Sequence, residues 1–190
     1  MRKIIVSMNV TSDGFMAGPN CELNWHFNFW NQEMTISLTE QLAQSDTILL
    51  GRITYCAMAA YWPFKMSDPS FFKEDIVFAA MMNRYRKIVF SKTLSTTQWN
   101  NSELVKANIS TVVPALKKQP GKNIIVYGSG KIVAALAEID IVDEYQLWIH
   151  PVILDKGKLL FKDLQHTPVM KLLKTKRFRS GVILNHYAPI

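Results

Sequence analysis

The chain has 190 residues, 48% of them hydrophobic, and a net charge of +7. That length and apolar content suit one domain over residues 1–190 with a full core, and no apolar run approaches the roughly 20 residues of a membrane helix, so a cytoplasmic protein with no membrane partner is expected. The basic residues are dispersed, apart from Lys171, Lys174, Lys176, Arg177 and Arg179, which alternate like a solvated strand face; this argues against nucleic acid and leaves a small anionic ligand as the fitting partner.

Residues 3–10 predict a strand apolar enough to be covered on both faces and therefore central. The loop that follows, Ser12-Asp13-Gly14-Phe15-Met16, keeps bulky apolar side chains among turn formers, as loops that fold over ligands do. Asp13 is either a turn former or a group that faces such a ligand. Cys21, like Cys56, stands outside any Cys-x-x-Cys or His/Cys cluster, so both read as reduced thiols and no metal site is expected. Trp25, Phe27, Phe29 and Trp30 crowd one short stretch, lining either the core or a pocket for a flat ring, and His26 among them reads as a hydrogen-bonded structural histidine. Met34, Leu38 and Leu42 recur at helical spacing and predict a helix over 31–45. A short buried strand over 46–50 comes next.

At Gly51 that strand turns into a helix running through Ala57-Met58-Ala59-Ala60. Such a corner aims free N–H groups and the positive end of a helix dipole at whatever lies above the strand, and Arg52 is placed to clamp a phosphate there or to pair with a surface carboxylate. Tyr61 to Phe64 closes the helix, and a further helix is expected over 71–82. Residues 86–91 predict a strand with a polar exit loop, where Ser91, Thr93 and Lys92 either meet phosphate or cap turns. Trp99, Leu104 and Val105 mark a short extended piece, and residues 109–118 a modest helix.

Residues 123–127 then run into Gly128-Ser129-Gly130, and a helix follows with Ile132, Val133 and Leu136 on one face. This is a second anion cradle, unless its glycines serve positive φ alone. Two such corners in one α/β domain, each followed closely by a cation, Arg52 and Lys131, favour a phosphate-bearing ligand. Residues 142–150 predict a strand, Lys156-Gly157-Lys158 a turn into 159–161, and residues 169–178 and 181–187 a closing hairpin. The expected fold is α/β: a mostly parallel central sheet flanked by helices, with an antiparallel C-terminal hairpin at the edge.

The segments Ser12-Asp13-Gly14-Phe15-Met16-Ala17-Gly18, Leu50-Gly51-Arg52-Ile53-Thr54-Tyr55, Val126-Tyr127-Gly128-Ser129-Gly130 and Pro151-Val152-Ile153-Leu154, in that order, resemble the dihydrofolate-reductase-like superfamily. Within it the chain resembles bacterial proteins similar to the reductase domain of the bifunctional riboflavin-biosynthesis enzyme. The resemblance implies an oxidoreductase using NADPH, a small heterocyclic substrate and a homodimer. It implies cofactor contacts at Gly51, Arg52 and Thr54, at Ser91, Thr93 and Leu94 near the adenosine, and at Gly128, Ser129, Gly130, Lys131 and Ile132 under the pyrophosphate. Asp13 would orient substrate or relay a proton, Trp25 and Trp30 would wall the substrate ring, and Glu33 is a further acid near it. Two departures stand out. Trp30 takes the place of the carboxylate that holds a pterin in true dihydrofolate reductases, and Asn24 stands where riboflavin-pathway relatives often carry Asp. Dihydrofolate reduction proper and a non-catalytic nucleotide-binding module are the alternatives.

Overall fold

The computed structural model describes residues 1–65, 73–162, 164–165 and 168–190. In chain order the elements are β1 (Ile4–Thr11), β2 (Phe15–Ala17), α1 (Asn24–Phe27), α2 (Gln32–Ala43), β3 (Ser45–Gly51), α3 (Arg52–Ala59), α4 (Trp62–Lys65) and α5 (Lys73–Arg84). They continue with β4 (Arg86–Phe90), β5 (Ser102–Val105), α6 (Ile109–Lys118), β6 (Asn123–Tyr127), α7 (Gly130–Ala137), β7 (Glu144–His150), β8 (Lys158–Leu159), β9 (Met170–Arg177) and β10 (Ile183–Pro189). The first two residues of the helix expected over 71–82 lie outside the described residues.

Eight strands form one sheet in the order β5-β4-β3-β6-β1-β7-β10-β9, and β2 pairs with β8 in a small second sheet. The strands from β5 to β7 run parallel, whereas β10 is antiparallel to both β7 and β9. The central position expected for the first strand is the observed one, with Ile5 beside Ile125 on one side and Glu144 on the other.

Alternation along the strands divides the core. Ile4, Val6, Met8, Leu49, Ile124 and Val126 meet Val113 and Leu116 of α6 and Ile132, Val133 and Leu136 of α7 on one face. On the other, Ile5, Ile48, Leu50, Val89 and Ile125 meet Leu42 of α2, Tyr55 of α3 and Phe78, Met81 and Met82 of α5. A third cluster, with Trp148 stacked on Phe178 at 5.3 Å between ring centroids, seats Met34 of α2 over the hairpin. Trp99, expected in an extended piece, is instead buried against Tyr55, whose hydroxyl accepts from the backbone N–H groups of Gln98 and Trp99. Strand β9 at the sheet edge is solvated, as its lysine alternation predicts, and charge on an edge deters further strand pairing.

Two charged groups lie inside the opposite, N-terminal edge of the sheet. Arg2 pairs with Asp46 and donates to Lys122 O at 2.6 Å and Thr47 Oγ1 at 2.7 Å. Lys87, fully buried, donates to the carbonyls of Met82 (2.8 Å), Asn83 (3.1 Å) and Tyr85 (2.8 Å) at the end of α5, with its ammonium 4.4 Å from the centre of the Trp99 ring.

Candidate functional site

Strands β3 and β6 are neighbours, yet the helices that follow them leave on opposite faces, α3 with the Tyr55 face and α7 with the Ile132 face. Such a divergence opens a crevice beyond the carboxyl ends of a parallel sheet, where α/β proteins bind ligands. The two glycine corners meet in it. Gly51 N–H donates to Ser129 Oγ at 2.8 Å, Ser129 Oγ donates to Thr54 Oγ1 at 2.9 Å, and Thr54 Oγ1 donates to the Gly128 carbonyl at 2.8 Å. This chain holds the N-terminal turns of α3 and α7 side by side, and the first turn of each carries N–H groups without intrahelical partners.

Glycine is required at the first position of the second corner, and at its last position a side chain would press only on flexible Met16. Gly128 has φ +59°, and a Cβ there would stand 2.9 Å from Thr54 Cγ2; a Cβ on Gly130 would stand 2.5 Å from Met16 Sδ. Thr54 and Met16 already occupy that space, so the corner is tightly packed, and the segment after β1, through Met16 of β2, reaches over it. Arg52 and Lys131, one on the first turn of each helix, are exposed and form no ion pair among the described residues. Next along the same edge, Ser91 Oγ accepts from Thr93 N–H at 3.2 Å and Leu94 N–H at 3.0 Å, which shapes the β4 exit turn. Thr54, Ser129 and Ser91 thus use their hydroxyls to shape the two corners and the β4 exit turn, while Arg52 and Lys131 stay exposed beside them.

On the far side of β1, the Asp13 carboxylate accepts from Thr11 Oγ1 at 2.5 Å, Leu154 N–H at 3.1 Å and Asp155 N–H at 2.9 Å. These bonds, Thr11 first, hold its pKa below the usual carboxylate value. It is an anion that pins the loop after β7 to the loop after β1, and so ill-suited to donating a proton.

Trp25 is buried, with its ring 5.2 Å from His150 and at 88° to it. Trp30 is half-buried: its indole N–H donates to Thr35 Oγ1 at 2.9 Å, and its ring lies 6.4 Å from Trp148. One face of the expected ring wall is therefore engaged by the core. Glu33 accepts from Arg179 N–H at 3.3 Å and braces the hairpin turn. His26 is the structural histidine that its surroundings suggest, buried, with its ring nitrogen hydrogen-bonded to Leu23 O; burial is the main cause lowering its pKa.

Three residues that the sequence did not single out stand at this end. His150, fully buried at the end of β7, donates from Nε2 to Asn9 Oδ1 at 3.0 Å; burial, and then His26, depress its pKa to about 4. Asp75 of α5 accepts from Thr35 Oγ1 at 3.0 Å, the same hydroxyl that receives the Trp30 N–H. Asn9 and His150 carried a legible signal as polar residues on inward-facing positions late in two apolar strands. Asp75 carried none, since it is brought in across 40 positions of sequence. Among the described residues no group of His, Cys, Asp and Glu could hold a metal ion, and no helix is long and apolar enough to cross a membrane.

The sequence pattern of the RibD C-terminal domain matches residues 2–184. The chain belongs to the RibD C-terminal domain family. This RibD C-terminal domain is 36% identical to the uncharacterized protein YyaP of Bacillus subtilis (strain 168) over 96% of its own length and 92% of that protein's. A second protein of that strain, YwjB, also uncharacterized, is 25% identical over 98% and 97%. Among solved structures it matches a putative riboflavin biosynthesis protein from Shewanella sp. PV-4 with a TM-score of 0.76 at 18% identity, covering 99% of each chain. A pyrimidine reductase-like protein from Corynebacterium diphtheriae matches with a TM-score of 0.67 at 16% identity, over 100% of this chain and 92% of that one. At a TM-score of 0.69 and 15% identity, the whole domain corresponds to 57% of a Thermotoga maritima deaminase and 5-amino-6-(5-phosphoribosylamino)uracil reductase. The fold is dihydrofolate-reductase-like, and the family resembles the reductases of riboflavin biosynthesis.

Proposed function

We propose that this domain is an NADPH-dependent reductase that delivers hydride to a small flat heterocycle. The observation that carries it is the hydrogen-bonded chain from Gly51 through Ser129 and Thr54 to Gly128, which sets two helix N-termini side by side, with Arg52 and Lys131, unpaired among the described residues, on their first turns. Backbone N–H groups there, with Arg52 and Lys131, would hold the phosphates, and Gly128, at φ +59°, makes the turn that presents them. The turn shaped by Ser91, Thr93 and Leu94 would take the adenosine end. When bound, the cofactor supplies the hydride. The chain's own part is to orient the two rings and exclude water, with the Met16 loop as cover and the Trp25 side of β1 as the substrate side.

The resemblance to riboflavin-pathway reductases favours a pyrimidine-like substrate. Dihydrofolate reduction proper is disfavoured because Trp30, whose N–H is engaged by Thr35, cannot give the paired acceptor oxygens that an aminopyrimidine edge needs. The test is to titrate NADPH and follow nicotinamide fluorescence, with pteridines, aminopyrimidines and quinones as oxidants. Arg52→Ala and Lys131→Ala should each weaken NADPH about ten-fold, Arg52→Ala more for NADPH than for NADH. No binding at millimolar cofactor refutes the reductase, and binding without oxidation across the panel favours a nucleotide-binding module on the same fold. A homodimer in the cytoplasm completes the proposal. Val169, just before β9, and Leu172 and Leu173 on it are half exposed or more, apolar surface that a second copy would cover; a monomer in sedimentation equilibrium rules that out.

A further inference from the structure

We infer that the aromatic cluster over the end of β7 is a closed subsite for a planar neutral amide, with the indole N–H of Trp25 as donor and Nδ1 of His150 as acceptor. Both nitrogens are fully buried and have no hydrogen-bond partner among the described residues. A buried donor or acceptor left unpaired destabilises a fold, so two of them on rings 5.2 Å apart call for a function.

The chemistry of the pair is determined by its surroundings. His150 Nε2–H donates to Asn9 Oδ1, which fixes the tautomer and leaves the lone pair on Nδ1. Burial and then the neighbouring His26, the one histidine ring against it among the described residues, keep His150 neutral. A ligand that satisfies both must therefore offer a carbonyl to Trp25 and an N–H to His150, which a lactam or a carboxamide does. A carboxylate has no proton to give His150. The rings of His26 and Phe29, each 5.9 Å from His150, supply the apolar walls for a flat group.

Position and attachment agree with this. His150 pairs in register with Thr11, two residues before Asp13, so the subsite lies at the sheet edge that carries the glycine corners. Trp25 is held there by α1, a helix of four residues with no side-chain N-cap bond, and Leu23, Asn24, Phe27 and Asn28 around it are exposed. Entry of a ligand would require this short segment to move aside and uncover the two nitrogens. The subsite rests on the proposal that this edge binds a cofactor and a heterocycle, and its amide would come from either one: a lactam of the substrate or the carboxamide of nicotinamide.

Trp25→Phe keeps a ring and removes the N–H, and lumazine, a bicyclic lactam, and NADPH serve as separate probes in calorimetric titration. The expected result is a melting temperature equal to or above wild type, because an unpaired donor is gone, with about ten-fold weaker binding of one probe. In the wild type the same probe should shift the ¹⁵N resonance of His150 Nδ1, a readout that does not depend on the variant folding. Loss confined to lumazine assigns the amide to the substrate, and loss confined to NADPH assigns it to the cofactor. If both probes bind the wild type but leave the Nδ1 resonance in place, and Trp25→Phe binds them within about two-fold, the subsite is overturned while the reductase proposal stands. If the wild type binds neither probe, both fall.

Discussion

Replacing Ser129 by alanine removes the middle atom of the link between the two glycine corners. Ser129 Oγ accepts from Gly51 N–H at 2.8 Å and donates to Thr54 Oγ1 at 2.9 Å. Thr54 keeps its bond to the Gly128 carbonyl in the variant, but the Gly51 N–H loses its partner, and Ser129 is only 6% exposed, so water replaces the hydroxyl poorly. No capping bond is lost, because Ser129, although it stands at the N-cap of α7, makes none. One missing hydroxyl bond and one stranded amide come to about 2–3 kcal/mol. In a domain of this size that lowers Tm by roughly 5–10 °C. NADPH binding should weaken at least about ten-fold, since the two helix ends are no longer held in line. Thr54→Val breaks the same chain one atom further on, so the double variant should show a coupling of about 1 kcal/mol in urea denaturation rather than simple addition. A Ser129→Ala protein within about 0.5 kcal/mol of wild type, the scatter of ordinary surface substitutions, and with unchanged NADPH affinity would refute the idea that this link organises the seat.

Gly130→Ala should leave urea stability nearly unchanged, because the atom its Cβ meets is the flexible thioether of Met16, yet it should weaken cofactor binding by displacing the covering loop. Restored affinity in Gly130→Ala with Met16→Ala supports that route, and no rescue excludes it. Lys87→Met should cost roughly 1–3 kcal/mol by stranding the carbonyls at the end of α5, without changing NADPH affinity; equal stability in urea would show that the cap is dispensable. His150, with a pKa near 4 when folded and an ordinary one near 6.5 when unfolded, binds its proton more readily in the unfolded chain between those values. Stability should therefore fall by up to roughly 3 kcal/mol as pH drops from about 6.5 to about 4. The Glu144 carboxyl, whose pKa is lowered chiefly by its bond to His186, adds stability that is present at neutral pH and lost as pH falls through its folded value. Urea midpoints that stay flat from about pH 7 to pH 5 would refute the His150 assignment.

Most of the fold was legible because periodicity reports local structure and glycine marks the corners. The strand over residues 123–127, the corner at Gly128 and the helix after it all appear as the sequence suggests. The site was legible only in outline. The resemblance assigns Thr54 and Ser129 to a phosphate seat, but a motif cannot show that their hydroxyls face each other across 75 positions. Asp13 reads alike whether it faces a ligand or a loop, because its backbone partners, Leu154 and Asp155, come from the far end of the chain. Trp30 shows the same limit: an indole in an aromatic run is wall or core according to what lies behind it, and Trp148 arrives from another strand.

Strand β1 lies inside the sheet, yet both of its neighbours come much later in sequence, and this bears on synthesis. Strand β1 must wait for residues 123–150 before either neighbour exists, so both of its hydrogen-bonding edges stay open while the ribosome makes the residues between them. Pairings of such long sequence separation slow folding and prolong the exposure of sticky edges. A nascent chain stopped after β5 should depend on chaperones and be readily cleaved by protease, and competence to bind nucleotide should appear abruptly once β7 emerges.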